Sequence, residues 1–367
     1  MRVSDPGAAQ SWSLLLEALL GDGPVSDDGI RWAMGQVMSG AATPAQIAAL
    51  LVAMRSHGVD TDQLAVLVDV MLEHSVPVDV PGPAVDTCGT GGDNSGSVNI
   101  STMAAVVVAA SGRAVIKHGN RAASSQSGSA DVLQELGVVV DLAPDLIPPS
   151  VAETGIAFCF AQVFHPAMRH AGPVRKELGM RSVFNFLGPL ANPARPAAQV
   201  VGVPDPQMAA VVAGALARRG TVALVVRGDD GMDEITTMAP THVWDARGPH
   251  VTETVIDTID LGIERPPLGS LDGGDAAHNA AVARAVLSGA DDQLAAVRDA
   301  VAVNAAAAMV VYDTVTGVLG VDEPLERVLP SRVDEARELM VSGAAGRTLQ
   351  RWIDVTQRLA EGDPIGT

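Results

Sequence analysis

From Val85 onwards, short runs of aliphatic and β-branched residues alternate with alanine-rich stretches, and this alternation restricts the fold more than any other feature of the chain. The runs are the Val85 region, "AVIK", "VVVD", "IAFCF", "QVVGVP", "VALVVRG" and "THVWDA". Each is too short for a helix and reads as a strand, whereas "STMAAVVVAASG" and "PQMAAVVAGALARRG" between them read as helices. Strands joined through helices pair in parallel, because a parallel crossover needs a dozen or more residues. The expected class is α/β: a mostly parallel sheet flanked by helices.

The first eighty residues follow a different pattern. "SDDGIRWAMGQVMSG" opens on Ser26 as N-cap with two aspartates in its first turn, and stops at Gly40. "TPAQIAALLVAMRSHG" has Thr43 as cap, Pro44 at the first helical position and Gly58 beyond the last turn. "TDQLAVLVDVMLEHS" makes a third helix, and the prolines of "VPVDVPGPAVD" then read as a hinge. A small all-helical domain over residues 1–80 and a large α/β domain after it are therefore expected, and 367 residues suit two domains. The stretch from Pro166 to Leu178 reads as helical and polar, and the tail from "DAAHNAAVARAVLSG" as mostly helix.

Charge and targeting features narrow the function. A formal charge of −19 argues against a broad nucleic-acid surface, which needs clustered cations, but allows a small anion held in a local nest of donors. No uninterrupted apolar run approaches the ~18–20 residues of a membrane span. The start, "MRVSDPGAAQSW", has no charged region followed by an apolar one, and Cys88 and Cys159 form no CxxC pair. A cytoplasmic chain without disulfides, membrane or nucleic-acid partner is the expectation. Among cations mostly supplied by arginine, the two lysines, Lys117 and Lys176, stand out.

Four clusters carry the chemistry. "DTCGTGGDNSGSVNIST" lies between a strand and a helix for which Ser101 or Thr102 is the expected cap. Glycines 89, 91 and 92 let backbone N–H groups approach an anion closely, although a polar turn that binds nothing fits the same residues. The run lacks a GK[ST] ending, and Asn94 stands where a dinucleotide loop has its third glycine. Asp93 repels phosphate, which points to a hydroxyl, an amine or a metal ion as its partner. "KHGNRAASSQSGSAD", from Lys117, follows a strand at the sheet end where ligands of open α/β proteins bind. "RGDDGMDEIT", from Arg227, is either a solvated acidic turn or, through Asp233 and Glu234, a Mg²⁺ site; Gly231 rules out an EF-hand. "FHPAMRHAGPVRKELG" is either an exposed cationic helix face or the source of one arginine that clamps a carboxylate. No nucleophile elbow, HExxH or HxE…PCxxC occurs, so the parts suit a transfer driven by positioning and charge neutralisation.

Taken in order, "GTGGD", "NIST", "KHGNRAASS.SGSAD", "HPAMRHAGPVRKELG", "FNFLGPLANP" and "GDDGMDE" resemble the anthranilate phosphoribosyltransferase family over nearly the whole chain. The resemblance implies transfer of the phosphoribosyl group of phosphoribosyl pyrophosphate to anthranilate, in tryptophan biosynthesis. It implies that Gly89, Thr90, Gly91, Gly92, Asp93, Asn99, Ser101, Thr102, Lys117 and Ser129 hold phosphoribosyl pyrophosphate. It places Gly89, His118, Asn120 and Arg175 on anthranilate, Arg175 through the carboxylate. Ser101, Asp233 and Glu234 are similar to residues that bind two Mg²⁺ ions. It further implies an active site at the hinge, residues 166–181 returning to the helical domain so that the large domain spans 84–165 and 182–367, and a homodimer formed through the helical domain. Asn94, Ser97, Val98 and Met168 depart from the residues common in the family, which bears on local contacts and affinity for the aromatic substrate. A pyrimidine nucleoside phosphorylase of the same fold, using free phosphate, has less need of the Asp233–Glu234 pair. A non-catalytic nucleic-acid-binding relative conflicts with the acidic charge.

Overall fold

The computed structural model describes residues 11–21, 23–122, 126–289 and 292–362, and the structural statements below concern these. Four helices come first: α1 (Trp12–Leu20), α2 (Asp27–Met38), α3 (Pro44–His57) and α4 (Thr61–Glu73). Ser26 and Thr43 cap α2 and α3 as their sequences require; Thr43 and Gln46 form a reciprocal capping box, and Gly40 and Gly58 take positive φ after the two helices. The α/β part begins with β1 (Val85–Gly89), α5 (Ile100–Ala110), β2 (Val115–Gly119), α6 (Ser129–Leu136), α7 (Ile147–Thr154) and β3 (Ile156–Phe160). A short α8 (Ala161–Phe164), a 3₁₀ turn (Pro166–His170), α9 (Gly172–Leu178) and α10 (Phe184–Leu190) follow. Then come β4 (Ala198–Gly202), α11 (Pro206–Arg218), β5 (Val222–Gly228), β6 (Thr241–Ala246) and β7 (Thr252–Ile256). The chain closes with α12 (Ala276–Ser288), α13 (Ala295–Val315), α14 (Leu325–Val341) and α15 (Ala344–Ala360).

The strands form a seven-stranded sheet in the order β3-β2-β1-β4-β5-β6-β7. The first five are parallel, and β6 and β7 add as antiparallel strands at one edge. Side chains alternate across the pleat, so each strand serves two cores. Val200, Leu224 and Val226 face one core with α5, α12, α13 and α14; Val201, Ala223 and Val225 face the other with α11 and the four N-terminal helices. Ala171, Val174, Val183 and Phe184 join that second core. Helix α13 is long and apolar enough to cross a membrane, yet it is mostly buried against α5, α14 and the sheet.

Three expectations need correction. "VVVD" is not a strand: Val138 and Val140 are buried, but their segment is a loop after α6, where the Val139 N–H is satisfied by Thr356 Oγ1. An apolar run shows burial without showing pairing. Strand β7 has no counterpart in the sequence reading, because on an edge "TETVI" is largely exposed and carries little apolar signal. The stretch from Pro166 is not one helix, since Ala171 separates a 3₁₀ turn from α9.

Candidate active site

The C-terminal ends of β1, β4 and β5 meet at one edge of the sheet, with Gly89 opposite Gly202 in register. From there the loop of residues 90–99 leads to α5. Its course is fixed at both ends: Thr90 N–H donates to Gly202 O at 2.9 Å, and Gly273 N–H donates to Gly96 O at 2.7 Å. Gly91 and Gly92 have φ of 68° and 76°, where a side chain is strained, and a Cβ on Gly89 would lie 2.2 Å from Asp233 Oδ2. Asn99, rather than Ser101 or Thr102, is the N-cap residue of α5, and it makes no side-chain cap. Ser101 and Thr102 are thus inside the first turn.

The acidic turn after β5 is divided: Asp229 and Asp230 are exposed, whereas Asp233 and Glu234 turn towards the glycine loop and α5. Asp233 accepts from Gly91 N–H at 2.7 Å, and Glu234 accepts from Ser101 N–H at 3.3 Å. These are the loop and helix-terminus donors that an anion would use. Burial raises the carboxyl pKa of Asp233 well above the usual range, and the neighbouring Asp93 raises it further. Glu234 is raised likewise, by burial and then by Asp233, with Lys117 opposing. Three crowded carboxylates beside a serine hydroxyl fit a hard divalent cation, which would relieve their repulsion. No group of three His, Cys, Asp or Glu among the described residues makes a ready-formed metal cage, so further oxygens would come from Ser101, water and a ligand.

The pleat of β1 and β2 sorts the remaining side chains. Lys117, the last residue of the "AVIK" run, and His118, which the sequence reading placed after the strand, both lie within β2 on opposite faces. Lys117 is buried on the α5 side; its ammonium donates to Thr87 O and, at 3.3 Å, to Ser101 Oγ. His118 points to the other side, where its ring lies 5.1 Å from that of His165. Its Nδ1 is 2.9 Å from Gly188 O. A carbonyl only accepts, so Nδ1 carries the hydrogen and Nε2 is a bare acceptor, with no protein partner among the described residues. Burial, followed by the charge of His165, lowers the His118 pKa to about 3, so the ring is neutral. Asp86 accepts from His118 N–H at 3.2 Å and from Asn192 Nδ2 at 2.9 Å; burial pushes it up to about 6.

Ser129 begins α6 against the end of β2, where a Cβ on Gly119 would lie 2.3 Å from its Oγ. Asn120 is exposed beside it, its Oδ1 accepting from Arg121 N–H. Residues 123–125 of the "KHGNRAASSQSGSAD" run lie outside the described residues. Arg175 on α9 is partly buried, its guanidinium 5.3 Å from the centroid of the Phe184 ring, with no carboxylate in ion-pair range among the described residues; burial lowers its pKa.

Sequence reasoning missed three supporting residues. Arg181 Nη2 donates to Gly91 O at 3.0 Å while Arg181 O accepts from Arg55 on α3, which ties the helical layer to the glycine loop. Asn279 donates to Asn99 Oδ1 and Ser127 Oγ. Buried Asn304 accepts from Ile235 N–H and donates to Ile235 O, clamping the backbone next to Glu234. Their partners are 69 to 180 residues away for the two asparagines, so no local pattern marks them.

The chain matches a family model described as "Glycosyl transferase family, a/b domain" over residues 81–346, and one described as "Glycosyl transferase family, helical bundle domain" over residues 13–75. It is 50% identical to an anthranilate phosphoribosyltransferase of Nocardioides sp. over 351 residues, which covers 95% of this chain and 99% of the relative. The chain belongs to the anthranilate phosphoribosyltransferase family. The anthranilate phosphoribosyltransferase of Nocardia farcinica is likewise 50% identical, over 95% of this chain and all of the relative. Among solved structures, the Thermus thermophilus anthranilate phosphoribosyltransferase superposes with a TM-score of 0.85 at 38% identity, covering 94% of this chain and 99% of that one. The anthranilate phosphoribosyltransferase of Saccharomyces cerevisiae in complex with PRPP and Mg gives 0.83 at 27% identity, over 94% and 98% of the two chains.

Proposed function

We propose that this chain transfers the phosphoribosyl group of phosphoribosyl pyrophosphate to the amine of anthranilate, releasing pyrophosphate. The observation that carries this reading is the two-faced site: phosphate-type donors and carboxylates on one side of β1–β2, and a neutral imidazole with an uncompensated arginine beyond it on the other. Gly89, Thr90, Gly91, Gly92, Asp93, Asn99, Ser101, Thr102, Lys117 and Ser129 hold the sugar diphosphate in this reading. On binding, the carboxylates would yield the N–H groups of Gly91 and Ser101 to the ligand's oxygens. Lys117 supplies fixed positive charge where negative charge builds up on the departing group.

Ser101, Asp233 and Glu234 hold Mg²⁺, two ions per site; bound Mg²⁺ supplies charge that neutralises the pyrophosphate. Arg175 orients anthranilate through its carboxylate, with Asn120 and Gly89 alongside. The His118 Nε2 lone pair accepts from the aromatic amine N–H and turns the nitrogen lone pair towards the ribose carbon. An aromatic amine is unprotonated near neutral pH, so attack needs no strong base: the N–C1 bond forms as the C1–O bond to pyrophosphate breaks, and the nitrogen's proton leaves to the pyrophosphate or to water. Residues 1–80 with 166–181 form the moving domain in this reading, and Arg181 links it to the glycine loop. Pairing of two chains through the helical domain belongs to the same reading. The proposed location is the cytoplasm.

Anthranilate fluorescence tests the reading. It should decay only when phosphoribosyl pyrophosphate and Mg²⁺ are both present. Arg175→Ala should raise KM for anthranilate about tenfold or more, with little change for the sugar substrate. Persistent fluorescence with folded protein would refute the activity, and equal effects on both KM values would remove Arg175 from its role.

A further inference from the structure

A cavity of about 440 Å³ lies at the opposite end of the sheet from the site, at the N-terminal ends of β4 and β5. Its wall includes Ala65 and Asp69 of α4, the loop after α10, and the end of α11. Three arginines converge on it: Arg195, Arg218 and Arg219. Asp69 is the one carboxylate in the lining. In a chain with 43 acidic and 24 basic residues, such a local excess of positive charge runs against the composition.

Salt bridges to α4 account for only part of the cluster. Arg218 pairs with Asp62, and Arg219 Nε lies 3.4 Å from Asp69 Oδ1 while its Nη1 donates to Leu190 O. Asp69 is also shared with Arg31 at 3.8 Å. Arg195 has no carboxylate in ion-pair range among the described residues, and its φ of 48° is one that an L side chain rarely adopts. Burial lowers the pKa of Arg219; Asp69 counters this, and the like charge of Arg195 adds to it. Arg195 and Arg219 thus repel each other, and both line a polar space wide enough for a small molecule. Guanidinium forks match phosphate oxygens in pairs, and a dianion between them would turn that repulsion into attraction.

We propose that this cavity binds a phosphorylated small molecule through Arg195, Arg218 and Arg219, at a site separate from the glycine loop. The ligand would bridge the helical layer and the α/β layer. Asn192 in the cavity lining donates to Asp86, which in turn accepts from His118 N–H, so the cavity has a physical connection to the active site.

Calorimetric titration with inorganic phosphate, at an ionic strength held constant with chloride, tests this on wild type, Arg195→Gln and Asp69→Asn. Phosphate held at the glycine loop contributes equally to all three proteins, so differences among them report the cavity. Exposed Arg195 has no packing role that glutamine would disturb. The proposal requires phosphate binding at the cavity to weaken about tenfold or more in Arg195→Gln and to tighten severalfold in Asp69→Asn, where a competing carboxylate is gone. Identical isotherms for all three proteins overturn it, as does tighter binding in Arg195→Gln.

Discussion

Replacing His118 by asparagine should give a variant less stable than wild type in weak base and equal to it near pH 5. In the folded chain, burial lowers the imidazole pKa from 6.5 to about 3, with His165 and Lys117 adding like charge and the Gly188 carbonyl opposing. Below pH 6.5 the unfolded chain binds a proton that the folded chain refuses. The stability that His118 contributes is thus complete above 6.5 and is lost as pH falls towards 3, at about 1.36 kcal/mol per unit. Between pH 7.5 and 5.0 this amounts to about 2 kcal/mol. Asparagine keeps a donor near the Nδ1 position for Gly188 but leaves part of the ring's volume empty, which costs about 1–2 kcal/mol at every pH. It does not titrate, so wild type alone loses the 2 kcal/mol and the two curves meet near pH 5. Asp86, pushed up to about 6, changes stability in the opposite sense, but it does so in both proteins and cancels in the difference. Urea unfolding followed by tryptophan fluorescence at pH 5, 6, 7 and 8, without substrate or divalent ions, measures this. A gap that stays constant with pH would show that His118 is not buried as a neutral ring.

Two further substitutions probe the framework. Asn304→Leu removes both partners of the Ile235 backbone and should lower stability by about 2–4 kcal/mol, read from the urea midpoint; a loss under about 0.5 kcal/mol would mean that the clamp contributes little. Gly202→Ala puts a Cβ 1.5 Å from the Asp233 carbonyl oxygen, so the main chain there must shift. Displacing the carboxylate turn by about 1 Å should reduce kcat/KM by roughly a hundredfold. Near-normal turnover in that variant would disconnect the acidic turn from catalysis.

The parts of this fold that the sequence made legible are those in which one residue does one local job. Ser26, Thr43 and Pro44 mark helix starts because capping acts within a single turn. The glycine loop is legible because positive φ and close backbone approach both demand glycine. "VVVD" misled because apolar residues under helix α15 resemble apolar residues in a strand. Asn279 and Asn304 could not be found at all, since an amide in an alanine-rich helix gains its meaning only from a loop brought to it by the fold. The acidic turn lay between these cases. Its residues were visible, but whether they faced water or the glycine loop depended on that loop's distant donors.

That last contact places the carboxylates of the acidic turn against the donors of the glycine loop. Asp233 and Glu234 accept from the N–H groups of Gly91 and Ser101, the same donors that the proposed function gives to phosphate. The carboxylates are poor permanent occupants, since burial and mutual repulsion, with Asp93 adding to it, raise their pKa values. A ligand that brings its own cation removes the repulsion and takes over the donors in the same event. An anion arriving alone would have to displace two carboxylates and leave them crowded. In the proposed function, that arrangement favours a metal-bound diphosphate over free phosphate on the face of β2 that carries Lys117, opposite the face that carries His118.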